Sequence, residues 1–281
     1  SLEKAFEDIE TGVVRNVDGQ YKVVLIDNCE VSNTISVSKN ILVVSNSSYA
    51  ISASESLTSN MFNILSGGSL TLGNETSDKT LLSIKGKQTS SDSLIKVSTG
   101  GTFVAKDGLV LSDNTATSGA AIYAQGTVTL GAFVLNNLTA TESGGAVYAA
   151  AGSNVNIIGT TFGSRGNLSA NMGGAMYVAS GATVSVSGAT FTNSIATNGG
   201  AMYVASGAVV SFDNVTFTTN SASGNGGAIY FEDSITIASQ MTFTSNSATL
   251  YGGAVYSANS VTVSNSDVVF TSNSATVGGA V

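Results

Sequence analysis

Along most of this chain, apolar residues come in short runs, alternate with polar residues inside each run, and are parted by Gly-, Ser- and Asn-rich turns. Ala228-Ile229-Tyr230, Ile235-Thr236-Ile237 and Met241-Thr242-Phe243 are followed by Ala254-Val255-Tyr256, Val261-Thr262-Val263 and Val268-Val269-Phe270. Runs of this length with period-2 alternation predict strands, and none has the length or the 3.6-residue period of a helix. The exception is the opening, where Leu2, Ala5, Phe6 and Ile9 fall on one face of an amphipathic helix capped by Ser1.

The pattern repeats. Gly-Gly-Ala-(Val/Met/Ile)-Tyr begins at Gly144, Gly173, Gly199, Gly226 and Gly252, with a variant at Gly119 and an incomplete copy at Gly278, giving steps of 25, 29, 26, 27, 26 and 26 residues. A near-constant step of this size marks a solenoid, whose units bury their core only against their neighbours. Three short strands per step fit one turn of a triangular coil, each strand bonding to its equivalents about 4.8 Å above and below.

A second signature follows the third strand: Phe217-Thr-Thr-Asn220, Phe243-Thr-Ser-Asn246 and Phe270-Thr-Ser-Asn273, with Phe133-Val-Leu-Asn136 as an earlier copy. Phe is expected to fill the interior, and Asn to take a left-handed turn and ladder its amide with neighbouring amides. Around Phe191 the Asn comes one residue early, at Asn193, and after Phe162 the fourth position is Arg165.

Gly-Gly-Ala-(Ile/Val/Leu) together with Phe-x-x-Asn resembles the repeat of the chlamydial polymorphic membrane proteins and related adhesin-like β-helix proteins. The resemblance covers roughly residues 111 to 281. It implies a surface-exposed or secreted protein, an autotransporter passenger in the chlamydial case, acting in adhesion. A translocating barrel is not found in the sequence, which leaves the secretion route open.

These readings divide one continuous all-β solenoid into a cap at 1–20, less regular coils at 21–110 and regular repeats at 111–281. We expect a single-stranded, right-handed parallel β-helix of roughly ten coils, about 50 Å long. In the early part, strands are expected over Tyr21 to Ile26, Thr34 to Val37 and Ile41 to Val44, and Gly67-Gly68-Ser-Leu-Thr-Leu reappears as Gly100-Gly101-Thr-Phe. The helix would cover the first coil and shield its strand edges. The sequence stops in mid-motif at Val281, from which a natural continuation is expected.

Composition narrows the chemistry. The chain has 281 residues, no His, Trp or Pro, and a net charge of −8. Without His there is no imidazole base or metal ligand, so carboxylates alone remain for acid-base work. No Lys or Arg follows Arg165, so the repeats lack the cations that hold nucleic acid or an anionic membrane. No apolar run is long enough for a bilayer span. Cys29, the single cysteine, reads as a small buried residue of an early strand.

Alternation turns Val255 inward and Ala254 and Tyr256 outward, so Tyr123, Tyr148, Tyr177, Tyr203, Tyr230 and Tyr256 form one outward column. That column is the candidate binding surface for a host-cell protein or a glycan, because Tyr offers large amphipathic area at small entropic cost. The longest coil carries Arg165, and its segment Ser164 to Met172 is a candidate recognition loop. Thr190/Thr192, Thr216/Thr218 and Thr242/Thr244 form a ladder of the kind that orders ice-like water. Carboxylates for a pectate-lyase-like glycan enzyme are sparse. Asp213 and Asp267 lie two coils apart with Gln240 between, and Glu232-Asp233 reads as a solvated turn. Sequons at Asn46, Asn74, Asn137, Asn167 and Asn214 do not decide the host. The expectation is a non-enzymatic, extracellular or cell-surface scaffold without cofactor or metal. The alternatives are a filament subunit assembling end to end, an ice-binding protein and a glycan-active lyase or hydrolase.

Overall fold

Strands this short cannot bury a core alone, and the chain solves this by stacking each on its equivalent one turn later. The computed structural model describes residues 1–12, 19–73, 81–163 and 168–281. Every strand pairing among the described residues is parallel. One face of the coil is an eight-stranded sheet, from Tyr21–Leu25 to Val209–Asp213, with Ile235–Ile237 and Val261–Val263 forming a separate pair beyond it. A second face carries fourteen strands, ten of them on its main path from Cys29–Val31 to Val269–Thr271. The third carries nine, from Ile35–Val37 to Val255–Ser257. The fold is the expected all-β parallel solenoid with three sheets per coil.

The interior is a set of vertical columns. On the second face the inward register runs Cys29, Ile51, Ile84, Leu111, Leu135, Phe162, Phe191, Phe217, Phe243 and Phe270. From Phe162 onward the rings stack with centroids 4.5, 4.9, 5.2 and 4.9 Å apart. Cys29 stands at the foot of this column half-buried, less enclosed than expected, because among the described residues no strand lies beneath it on this face.

The register corrects one motif. Leu135, not Phe133, pairs with Phe162, so Phe133-Val-Leu-Asn136 is two residues out of phase with the later copies. The Asn136 Oδ1 is buried without a hydrogen-bond partner, as an amide outside the ladder would be. The true equivalents place a left-handed residue two positions after Leu111, Leu135, Phe191, Phe217, Phe243 and Phe270: Asp113, Asn137, Asn193, Thr219, Ser245 and Ser272. Asn220, Asn246 and Asn273 therefore do not take the left-handed turn; they follow it. Asn193 comes early because it fills the turn position itself, and Ser194 fills the position taken by Asn220 one coil later, where its N–H donates to Asn220 Oδ1 at 3.1 Å.

The asparagines do form the expected ladder. Asn220 Nδ2 donates to Asn246 Oδ1 at 2.9 Å and to the Phe191 carbonyl at 3.0 Å, while its own N–H donates to the same Oδ1 at 3.0 Å. Asn246 repeats the pattern onto Asn273 Oδ1 and the Phe217 carbonyl. Asn220 and Asn246 are fully buried. A buried amide with every group paired fixes the coil-to-coil register.

The Gly pair has two separate causes. Gly226 lies at φ +67°, and a Cβ on Gly227 would sit 2.0 Å from the Gly253 carbonyl oxygen of the next coil. After the pair, the N–H groups of Ala228 and Ile229 both donate to the Ala254 carbonyl, at 2.8 and 3.0 Å. This convergence breaks the period-2 alternation, so Ala228 and Ala254 are fully buried where outward positions are expected.

Residues Leu2–Glu10 form the opening helix, with Ser1 accepting from the Lys4 N–H. Leu2, Phe6 and Ile9 are buried, and the Phe6 ring lies 6.0 Å from Phe62. Glu3 accepts from the N–H groups of Ser32 and Asn33, and Glu10 from those of Ser38 and Lys39. The helix thus covers the first coil and caps its otherwise unpaired donors.

Candidate functional site

The tyrosine column exists as the spacing predicts. Tyr123, Tyr148, Tyr177, Tyr203, Tyr230 and Tyr256 are in register on the third face, with ring centroids 4.9, 5.2, 5.2, 4.7 and 4.9 Å apart. The inner rings are close to parallel, with interplanar angles of 11, 1, 12 and 7°. This geometry changes what the column can offer. Each inner ring has both faces covered by neighbouring rings, so the surface presented along the column is a row of ring edges and hydroxyls.

Burial raises the phenols of Tyr148, Tyr177, Tyr203 and Tyr230 above their ordinary value. Tyr203 is raised furthest, because its hydroxyl also donates to Glu232 Oε1 at 2.5 Å. Arg165 and residues 164–167 of the candidate loop lie outside the described residues, whereas Met172 at the loop's end bridges to Ser143 and Asn198.

Below Tyr123 the column changes composition. Its register partner is Lys96, and beneath Lys96 lie Asn63 and Ser36. With smaller or flexible side chains under the last ring, a cleft of about 460 Å³ opens there. Its walls include Lys96, Tyr123, Asp92, Glu142, Gln125 and Asn60. Among the described residues, the Lys96 ammonium and the Asp92 and Glu142 carboxylates have no ion-pair or hydrogen-bond partner. Asn60 is held by its Nδ2, which donates to the Ser93 carbonyl at 2.8 Å. Sequence reasoning passed over this group. The available signal was Ser-Leu-Ile-Lys-Val at 93–97 standing where Ala-Ala-Ile-Tyr-Ala stands at 120–124.

The other candidates are placed as follows. Glu232 and Asp233 are not simply a solvated turn. Glu232 accepts from the Ser206 N–H at 2.7 Å, and Asp233 accepts from the Gly207 N–H at 2.9 Å and the Ser206 hydroxyl at 3.1 Å. One coil earlier the Gly181 N–H donates to the Gly207 carbonyl, so the Asp233 carboxylate replaces a backbone acceptor where the first sheet is interrupted. Asp213 is bound by the Ser187 hydroxyl at 3.0 Å. Asp267 lies outside the strands, and its N–H donates to Asn265 Oδ1 at 2.8 Å. The threonine ladder is in register over Thr161, Thr190, Thr216 and Thr242 and over Thr192, Thr218, Thr244 and Thr271. Val134 and Val269 stand at the two ends of the first of these rows. Among the described residues there is no group of three or more carboxylate or thiol ligands placed to hold a metal ion, and no helix long and apolar enough to cross a membrane.

The Chlamydia polymorphic membrane protein repeat matches this chain at residues 214–232 and 240–258. Each matched stretch holds one Phe-x-x-Asn and one Gly-Gly-Ala, the stacked ring, ladder amide and corner described above. These two stretches are similar to that repeat, and they lie within a parallel β-solenoid. No curated protein and no solved structure matched the chain.

Proposed function

We propose that the protein is a non-enzymatic, adhesin-like scaffold that presents a binding surface outside the cell. The observation that carries this reading is the coincidence of the matched repeats with a parallel stack whose third face displays one aligned column of tyrosines. Buried rings and amide ladders specify the shape, and the outward positions are left free to vary. The repeat family implies exposure at the outer membrane surface, and the poverty in cations argues against nucleic acid as a partner. The partner class is a host-surface protein or glycan.

Labelled protein incubated with epithelial cells and read by flow cytometry tests this. Saturable binding, competed by unlabelled protein and absent from a heat-unfolded sample, is the expected result. Uptake that neither saturates nor competes would overturn it.

A further inference from the structure

We propose that the cleft below Tyr123 is a saccharide-binding site, taking a neutral oligosaccharide through an aromatic platform, one ammonium and two carboxylates. The inference rests on the adhesive reading above and gives its ligand a chemical class.

The argument begins with the column. A pyranose ring recognised by Tyr lies flat on the ring face, where its axial C–H groups meet the π surface, and this needs an uncovered face. Tyr148, Tyr177, Tyr203 and Tyr230 have none, since a neighbouring ring lies on each side at 4.7 to 5.2 Å. Tyr256 has Tyr251 close by at 6.3 Å. Tyr123 is different: Tyr148 covers one face, and the other turns toward Lys96 and the cleft.

The polar groups around that face suit hydroxyls. Asp92 and Glu142 can each accept from adjacent sugar hydroxyls, while Lys96 donates and Gln125 both donates and accepts. None of these four side chains is engaged elsewhere among the described residues, so binding would break no existing contact of theirs. Asn60, pinned to the Ser93 carbonyl, forms part of a preformed wall. A volume of about 460 Å³ lies within the range of small-molecule sites and suits a short oligosaccharide, not a macromolecule.

Charge selects among saccharides. One ammonium against two carboxylates leaves the cleft with a net negative charge, and the whole chain carries −8. A sialylated or sulfated glycan would meet repulsion, whereas a neutral one needs only the hydroxyl pairing.

The test is saturation-transfer NMR followed by calorimetry on the full chain, with lactose, maltotriose and chitotriose as neutral probes and sialyllactose as the anionic one. At least one neutral probe should bind, and Asp92→Asn and Glu142→Gln should each weaken it about tenfold or more. Both substitutions change exposed or half-exposed side chains without internal partners, so they should fold as the parent does. Tyr256→Ser, at the far end of the column, should change affinity less than about twofold. Failure of every neutral probe, preference for sialyllactose, or equal loss with Tyr256→Ser would overturn the assignment. The cell assay separates this from the broader reading. Undiminished cell binding by Asp92→Asn would sink the cleft as the adhesive site and leave the scaffold intact, whereas neutral-sugar binding without cell binding would do the reverse.

Discussion

Residues 21–110 and 111–281 build the same triangular coil from different interiors. On the second face the early rungs present Cys29, Ile51 and Ile84, whereas the later ones present five stacked phenylalanines from Phe162 to Phe270. On the third face the early outward positions are Ser36, Asn63 and Lys96 and the later ones an unbroken run of tyrosines. Even the glycine pairs stand at different corners. Gly67-Gly68 and Gly100-Gly101 precede strands of the first sheet, while the pairs that begin at Gly144, Gly173, Gly199, Gly226 and Gly252 precede strands of the third. Coil closure therefore depends on which positions point inward, and many apolar residues satisfy it. Identical neighbours add something further, since stacked rings and laddered amides reward one register over its alternatives. The late half is specified redundantly and the early half is not, and the cleft lies where the two meet, with Asp92 and Lys96 on one side and Tyr123 and Glu142 on the other.

The largest expected effect tests the corner. Gly227→Ala would force a Cβ to within 2.0 Å of the Gly253 carbonyl oxygen, and we expect a loss of about 3 kcal/mol or more in the surrounding coils. Gly101→Ala meets its nearest carbonyls at 2.9 to 3.0 Å, and about half that cost is expected. Because solenoids unravel locally, hydrogen exchange resolved by segment is the measurement. Equal protection of the two variants would erase the contrast between the halves.

Asn246→Ala comes next. It strands the Asn220 amide and the Phe217 carbonyl inside the core, at an expected cost of about 2 to 3 kcal/mol. Where the two halves meet a single buried Asn114 does comparable work, donating to the Asp92 and Ala120 carbonyls and accepting from the Lys87 N–H. Asn114→Ala should open only its own coil, whereas Asn246→Ala should loosen the coils on both sides. A swap of the core column is milder. Phe217→Leu should cost about 1 to 1.5 kcal/mol by removing a ring from the middle of the stack. Leu135→Phe extends the stack by one rung, and denaturation showing it no less stable than the parent would mean that ring stacking offsets the overpacking.

Alkaline pH separates the halves differently. The raised phenols of Tyr148, Tyr177, Tyr203 and Tyr230 hold their protons longer when folded than when unfolded. Their contribution is therefore fully present below the ordinary value of 10.0 and is lost as pH rises above it through the folded values. Tyrosinate absorbance should lag behind that of an unfolded control, and protection should fall first in the late coils.

The repeats were legible because they are repeats. Period, strand count, column identity and the capping helix followed from the recurrence of Gly-Gly-Ala, Phe-x-x-Asn and the opening apolar face. Three things were not legible, each for a physical reason. The burial of Ala254 reverses simple alternation because two successive N–H groups converge on one carbonyl at the corner. The phase of Phe133 misleads because Leu135 fills the ring position without resembling it. The cleft depends on which residue lies beneath Tyr123, a fact of register between coils that no single stretch of sequence contains.

The smallest effect concerns the two places where side-chain carboxylates stand in for backbone acceptors. At the start of the stack Glu3 and Glu10 cap the donors of the first coil, and at the break in the first sheet Glu232 and Asp233 do so for Ser206 and Gly207. The turn at Glu232-Asp233-Ser234 is one residue shorter than Ala205-Ser206-Gly207-Ala208, so the strand Ile235–Ile237 leaves the ladder and its backbone no longer reaches down. Asp233→Asn keeps the shape but weakens a charge-assisted bond at an exposed site, which should cost only about 0.5 to 1 kcal/mol. The readout is faster exchange of the Gly207 N–H with the neighbouring coils unchanged. If that N–H exchanges no faster, the carboxylate does not replace the missing carbonyl, and the break is held by the packing of Phe231 and Ile237 alone.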